Sequence, residues 1–235
     1  KAKIHLRNEQ ISFCNFYSLR IEQEHCERNI TMENIKWIFF DVGSTLVDES
    51  RAYENRMKRA AQAANVSYEY VYETALKFYQ ENKKGDLETI KPLGIKKPEW
   101  RSEDEILYRD TEECLHQLSQ KYNIGVIANQ SPGTEKRLKA FGISPYIDLV
   151  IASAEEGVAK PDRKIFEIAL SRVACKPQQA VMAGDRIDND IIPAKALGMK
   201  TIWVKQGFGK YWKITSDCEQ ADYEVGSLSE ILEIL

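Results

Sequence analysis

Short runs of apolar residues alternate with longer amphipathic stretches along most of this chain. Six runs read as strands: Ile35–Asp41, Asn123–Ala128, Leu149–Ala152, Ala180–Gly184, Lys200–Val204 and Tyr223–Val225. Most lack polar alternation, the pattern of strands covered on both faces. Between them lie helical patterns. Arg109–Lys121 puts Cys114, Leu115 and Leu118 on one face, and Arg163–Val173 carries a stripe of Ile165, Phe166, Ile168, Ala169 and Val173. Thr134–Phe141 and Asp190–Leu197 each stop at a glycine, Gly142 and Gly198, a helix-ending signal. Strand–helix alternation at this spacing predicts an α/β fold with a doubly wound parallel sheet. In such sheets the site lies beyond the carboxyl ends of the strands.

Two segments depart from the alternation. From Glu49 to Leu107 there is no strong strand signal. Two helices are expected there, Arg51–Ala64 and Tyr68–Asn82, the second capped by Ser67, followed by a loop rich in Gly, Pro and Lys, GDLETIKPLGIKKPEW. The six tyrosines from Tyr53 to Tyr108 are read mainly as packing residues, with a substrate pocket as the alternative. Residues 1–31 show no clear period. They read either as an extension upstream of a domain that begins at Met32 or as an N-terminal helix packed on the core. The resulting plan is an extension over 1–31, a core made of 32–48 and 108–235, and a helical insert over 49–107.

Composition narrows the function classes. With 235 residues, 43% hydrophobic and 29% charged, the chain suits one globular core with a small insert. A formal charge of −3 gives no reason to expect a nucleic-acid partner, and no apolar run approaches the roughly 18 residues of a membrane span. The five cysteines are odd in number and widely spaced, which reads as free thiols in a reducing cytoplasm. Three histidines, with His116 in a helical pattern, leave little material for a His-based triad or a zinc site.

Four fragments at strand ends carry the candidate chemistry. They are Asp41-Val-Gly-Ser-Thr45 after the first strand, Ala128-Asn129-Gln130 after the second, Lys160-Pro161-Asp162, and Gly184-Asp185-Arg-Ile-Asp188-Asn-Asp190. Magnesium takes hard oxygen ligands, and Asp41 and Asp185 end different strands where they can meet over one ion. A carboxylate attacks phosphorus only when negative charge is neutralised on both partners; a cation and Lys160 supply that. Asn129 is placed to donate to a phosphoryl oxygen. Each fragment alone is weak, since acids favour helix N-termini in any protein. Four in order at strand ends are hard to ascribe to coincidence.

Together these motifs resemble the haloacid dehalogenase superfamily, in the branch with a helical cap inserted after the first strand. The resemblance covers Met32 to Leu235. It implies a Rossmann-like core, a mobile cap over 49–107 and phosphate monoester hydrolysis through an aspartyl-phosphate. It makes Asp41 the nucleophile and a magnesium ligand, the Gly43 carbonyl and Asp185 further ligands, and Asp190 a member of the metal site that supports the ion's waters and Lys160. Lys160 binds the phosphoryl group and restrains the nucleophile. The substrate-binding set is Thr45, Asn129 and Lys160. The expected partner is a small phosphorylated metabolite.

The pattern is broken twice. Family phosphatases carry a second aspartate two residues after the nucleophile, where this chain has Gly43, and a Ser or Thr where it has Ala128. The first loss removes the group that protonates the leaving oxygen and later activates water, a contribution of about 10²–10⁴ in rate. From sequence, aryl and acyl phosphates are therefore expected to give a burst and slow turnover, and alkyl phosphates to react poorly, unless Asp48, a cap residue or the substrate supplies the proton. Gly43→Asp should speed the slow phase unless Gly43 holds a backbone angle that only glycine tolerates. Two rivals stand beside the phosphatase reading. One is carbon–phosphorus cleavage through a cap lysine, with Lys58, Lys77, Lys83 and Lys84 as candidates. The other is a catalytically weak binding protein that keeps the fold.

Overall fold

In a computed structural model, which describes residues 34–235, the predicted alternation becomes a single six-stranded sheet. The expectations for residues 1–31 fall outside the described residues. The main strands are β1 (Trp37–Phe40), β4 (Asn123–Ala128), β5 (Leu149–Ala152), β6 (Ala180–Gly184), β7 (Lys200–Val204) and β8 (Tyr223–Val225). They are all parallel, in the order β5-β4-β1-β6-β7-β8. β1 is therefore central, with Ile38 opposite Ile124 on one side and Val181 on the other. Five strands match the ranges expected from the apolar runs. β1 is shorter than Ile35–Asp41, because Asp41 already turns away into the loop after its N–H bonds to the Ala183 carbonyl at 2.9 Å.

The absence of polar alternation has the predicted cause: Ile38, Phe39 and Phe40 are all fully buried. Phe39, Ile127, Ile151 and Met182, from four neighbouring strands, share one core with Ile165, Phe166 and Ala169. Those three lie on the helix Arg163–Arg172. Each such large side chain contributes about 1.5–3 kcal/mol on burial. Residues 36–235 form one compact unit.

The insert differs from expectation in two ways. A two-residue ribbon, β2 (Val47–Asp48) antiparallel to β3 (Ile106–Leu107), forms where the chain leaves for the insert and returns. The helices α1 (Ser50–Ala64) and α2 (Tyr68–Gln80) are close to those predicted, and Ser67 Oγ does cap α2 by accepting from the Tyr70 N–H at 3.1 Å. The loop read after them begins instead as a third helix, α3 (Gly85–Ile90). Its formation is tertiary in origin. Asp86 accepts from Arg56 of α1 at 2.9 Å and from the Tyr79 hydroxyl of α2 at 3.1 Å. Gly85 lies so close to Ala75 and Tyr79 that no side chain fits there. The tyrosines are mostly packing residues, as read: Tyr53, Tyr68, Tyr72 and Tyr79 gather with Met57, Val71 and Phe208.

Three more helices follow the main strands: α4 (Thr111–Ser119), α5 (Thr134–Ala140) and the short α6 (Ser153–Glu156). α7 is the helix Arg163–Arg172, and α8 (Ile192–Leu197) comes after β6. The helix expected over Asp190–Leu197 is split, because a π-helical turn over Ile187–Ile191 precedes α8. That widened turn lets Asp190 fold back toward Gly184. His116 lies on the exposed side of α4 against Tyr146, consistent with a surface histidine. Cys114, Cys175 and Cys218 are free thiols. Among the described residues no helix is long and apolar enough to cross a membrane.

Candidate functional site

The parallel sheet brings the carboxyl ends of β1, β4, β5 and β6 to one edge, and the motif residues leave the sheet there. Asp41 follows β1, Asn129 follows β4, Lys160 follows β5 and α6, and Asp185 follows β6. The Lys160 ammonium sits 2.7 Å from Asp41 Oδ1 and 2.5 Å from Asp190 Oδ1, and is almost completely buried. Asp185 completes the cluster: one carboxylate oxygen from each of Asp41, Asp185 and Asp190 lies within 4.8 Å of the others. A cavity of about 340 Å3 opens over them.

Charge balance at this cluster calls for a cation. Three carboxylates face one ammonium inside the protein, and burying unpaired charge is costly. Asp185 shows this most clearly. Burial, then the charges of Asp41 and Asp190, push its carboxyl well above the usual carboxylate range. Asp190 is raised to about 6, chiefly by burial, with Lys160 pulling the other way. Lys160 is raised above an ordinary lysine: burial opposes its charge, but Asp190 and Asp41 outweigh it. A divalent ion with oxygen ligands would relieve this repulsion, and the donor set is of the type magnesium takes.

The surroundings are built to hold these groups still. Gly184 is open because Asp190's carboxylate fills the space a side chain there would need. Asp190 Oδ2 also accepts from the Arg186 N–H at 3.0 Å. Trp203 Nε1 donates to the Asp185 carbonyl at 2.9 Å, tying the loop after β6 to β7. Asp188 is not part of the cluster; Arg186 holds it in a two-pronged pair at 2.9 and 2.7 Å.

Two sequence-derived substrate contacts are arranged differently from expectation. Asn129 clamps the Lys160 backbone, donating to its carbonyl at 2.8 Å and accepting from its N–H at 2.7 Å. Its amide is thus engaged with Lys160 as well as lining the cavity. Thr45 is fully buried, its Oγ1 has no partner among the described residues, and it lies outside the cavity wall. Of the four cap lysines considered, Lys84 alone lines the cavity. Lys58 and Lys83 are paired with Glu54 and Glu81.

The loop after Asp41 holds the largest surprise. Gly43 does not adopt a left-handed angle; Ser44 does, with φ 55°. A side chain at 43 would instead meet Glu49, whose carboxylate end would have to swing aside. A Cβ there would lie 2.5 Å from Glu49 Oε1 and 2.8 Å from Glu49 Cδ. Glu49 lines the cavity with Asp41, and Ser44 Oγ donates to its Oε2 at 3.1 Å. Burial first, then the charge of Asp41, push the Glu49 carboxyl up to about 8. Asp48 faces elsewhere, its Oδ1 accepting from the Ser50 N–H at 2.8 Å at the start of α1. Glu49, Arg56 and Asp86 were not singled out in the sequence. They lie on no motif; the turn after Asp41 brings Glu49 to the cavity, and the folding of the insert brings Arg56 and Asp86.

Comparison with known proteins agrees with this geometry. Residues 38–204 match the haloacid dehalogenase-like hydrolase family. A glyceraldehyde 3-phosphate phosphatase from Pyrococcus furiosus is 32% identical over 228 residues, 87% of this chain and 94% of that protein. A ribulose-1,5-bisphosphate 5-phosphatase from Halopiger xanaduensis is 28% identical over 139 residues, 57% of this chain and 58% of that protein. The crystal structure of a HAD phosphatase from Thermococcus onnurineus superposes with a TM-score of 0.60 at 22% identity, covering 85% of this chain and 97% of that one; at this identity it speaks for the fold. With its parallel sheet, its acid cluster at the strand ends and these relatives, the chain belongs to the haloacid dehalogenase-like hydrolases, as an enzyme of their phosphatase kind.

Proposed function

We propose that this protein is a magnesium-dependent phosphatase of a small phosphorylated metabolite, acting through an aspartyl-phosphate on Asp41. The observation that carries the reading is the Lys160 ammonium, held between Asp41 and Asp190 beside Asp185. One cavity thus offers a nucleophile, a positive charge for the phosphoryl oxygens and an oxygen-rich cation site. Asp41, Asp185 and the Gly43 carbonyl would hold the ion, with Asp190 behind them. When bound, magnesium would neutralise phosphoryl charge.

In the forward step Asp41 attacks phosphorus and the ester oxygen leaves. Lys160 balances the charge gathered on the phosphoryl oxygens, and Asn129 keeps the Lys160 backbone in register. Lys84 and Arg137 add positive charge to the cavity wall beside Lys160, which suits an anionic metabolite. The Pyrococcus furiosus relative makes glyceraldehyde 3-phosphate the first substrate to try.

The test is a screen of phosphorylated metabolites with magnesium and with chelator. Phosphate release is expected only with magnesium. Asp41→Asn should abolish turnover, because a neutral amide is a poor nucleophile. Release that survives Asp41→Asn would refute the mechanism. Lys84 at the cavity favours the second reading, phosphonatase-like carbon–phosphorus hydrolysis through a cap lysine. Borohydride trapping with a phosphonoaldehyde would label Lys84 under that reading and leave it untouched under ours.

A further inference from the structure

The phosphatase reading leaves one chemical duty unfilled. Glycine at 43 has no proton to give to the leaving oxygen and cannot take one from the attacking water. We infer that Glu49 is the general acid and base of this active site, reaching from the start of α1 into the place an aspartate at 43 would fill. The inference rests on the phosphatase reading above.

The geometry is one of replacement. A Cβ built on Gly43 would meet all three terminal atoms of Glu49: Oε1 at 2.5 Å, Cδ at 2.8 Å and Oε2 at 2.8 Å. The carboxylate of Glu49 therefore stands where an aspartate at 43 would extend. With Glu49 in this position the two carboxylates would compete for one space, so glycine at 43 and glutamate at 49 fit together as one solution. The carboxylate is also oriented. Ser44 Oγ donates to Oε2 at 3.1 Å, which leaves Oε1 without a partner among the described residues and on the wall of the cavity that holds Asp41. Ser44 holds a left-handed angle to do so, an unfavourable conformation for a residue with a side chain. The backbone delivers Glu49 by a tight turn. Ser44 N–H bonds to the Val47 carbonyl at 2.8 Å, and β2 then leads directly into Glu49. Asp48, one residue earlier, is occupied at the helix start.

The proton balance closes on this residue. In the first step Asp41 forms the P–O bond, the ester P–O bond breaks, and the Glu49 carboxyl proton passes to the departing oxygen, which leaves as an alcohol. In the second step water attacks phosphorus and its proton passes to the Glu49 carboxylate. The acyl P–O bond breaks, Asp41 is restored, and inorganic phosphate departs. Each group ends as it began.

This replaces the expectation of slow dephosphorylation that Gly43 alone suggests. The wild type should turn over alkyl phosphates without a burst. The experiment compares wild type, Glu49→Gln, Gly43→Asp and Gly43→Asp with Glu49→Ala, all with magnesium, on glycerol 3-phosphate and p-nitrophenyl phosphate. Circular dichroism and melting establish that each variant is folded. In Glu49→Gln, kcat/KM for the alkyl ester should fall by about 10²–10⁴, while that for the aryl ester, whose anion leaves unaided, should fall far less. Nitrophenol release by Glu49→Gln should show a burst near one equivalent followed by slow turnover. Gly43→Asp alone should be impaired by collision with Glu49, and the double substitution should recover alkyl turnover. A purely structural role for Glu49 would lower both esters together and give no rescue. Equal losses on the two esters, or unchanged alkyl turnover in Glu49→Gln, would overturn the assignment alone. A folded wild type that releases phosphate from neither ester and forms no phospho-enzyme would overturn the phosphatase reading and this inference with it.

Discussion

At the scale of single residues, the site shows how a polar side chain acts through the backbone of another. Asn129 is better described as a clamp on Lys160 than as a free phosphate donor, because its amide makes hydrogen bonds of 2.8 and 2.7 Å to the Lys160 peptide groups. Asn129→Ala should therefore displace the lysine. A misplacement on the ångström scale costs roughly 10–100-fold in rate, so kcat should fall by that order in a phosphate-release assay. Stability should change by only about 1 kcal/mol per lost bond, since Asn129 is exposed and water can replace it. A kcat equal to wild type would show that Lys160 keeps its place without the clamp.

At the scale of elements, the insert is held by a buried ion pair as much as by its aromatic cluster. Arg56 of α1 and Asp86 of α3 meet at 2.9 Å with side chains only 9% and 6% exposed, and the Tyr79 hydroxyl adds a third bond. Burial raises the Asp86 carboxyl above its ordinary range, Arg56 offsetting part of that effect. Removing one partner of such a pair strands the other charge. Asp86→Ala should destabilise the protein by about 3–5 kcal/mol, with hydrogen exchange accelerating first over α1 to α3. A loss under about 1 kcal/mol in denaturant titration would mean that aromatic packing alone carries the insert. Helix α3 was unreadable in the sequence for the same reason. Its glycine and the lysines that flank it, Lys83, Lys84 and Lys91, look like a loop, and its helical form depends on partners contributed by α1 and α2.

For the whole molecule, a cation held by the acid cluster would couple its binding to folding. Unfolding would separate Asp41 from Asp185 and Asp190, which lie far along the chain, so an ion bound to all three would stabilise the native state by mass action. At magnesium one hundred times its dissociation constant the gain is about 2.7 kcal/mol, readable as a rise in melting temperature that chelator reverses. Asp185→Ala should fold and lose most of this rise. A melting temperature indifferent to magnesium in the wild type, or a full rise in Asp185→Ala, would refute the ligand assignment. The readout is independent of any substrate.

The chain itself determined the parallel sheet, the order of its motifs and the identity of Asp41, Lys160, Asp185 and Asp190. Fully covered strands are written as unbroken apolar runs, and residues at strand ends inherit their position from the strands before them. What the chain alone could not disclose was contact between segments lacking a shared period. The splitting of the last predicted helix, the inward turn of Thr45, the clamp by Asn129 and the third helix of the insert are all of this kind. The fate of Gly43 is the sharpest case. In sequence it is a missing carboxylate; in space the Glu49 carboxylate stands within 2.5 Å of where its side chain would begin. The five residues of intervening chain carry no signal of that approach, because a turn and a two-residue ribbon create it, and their geometry is settled by packing against the rest of the fold.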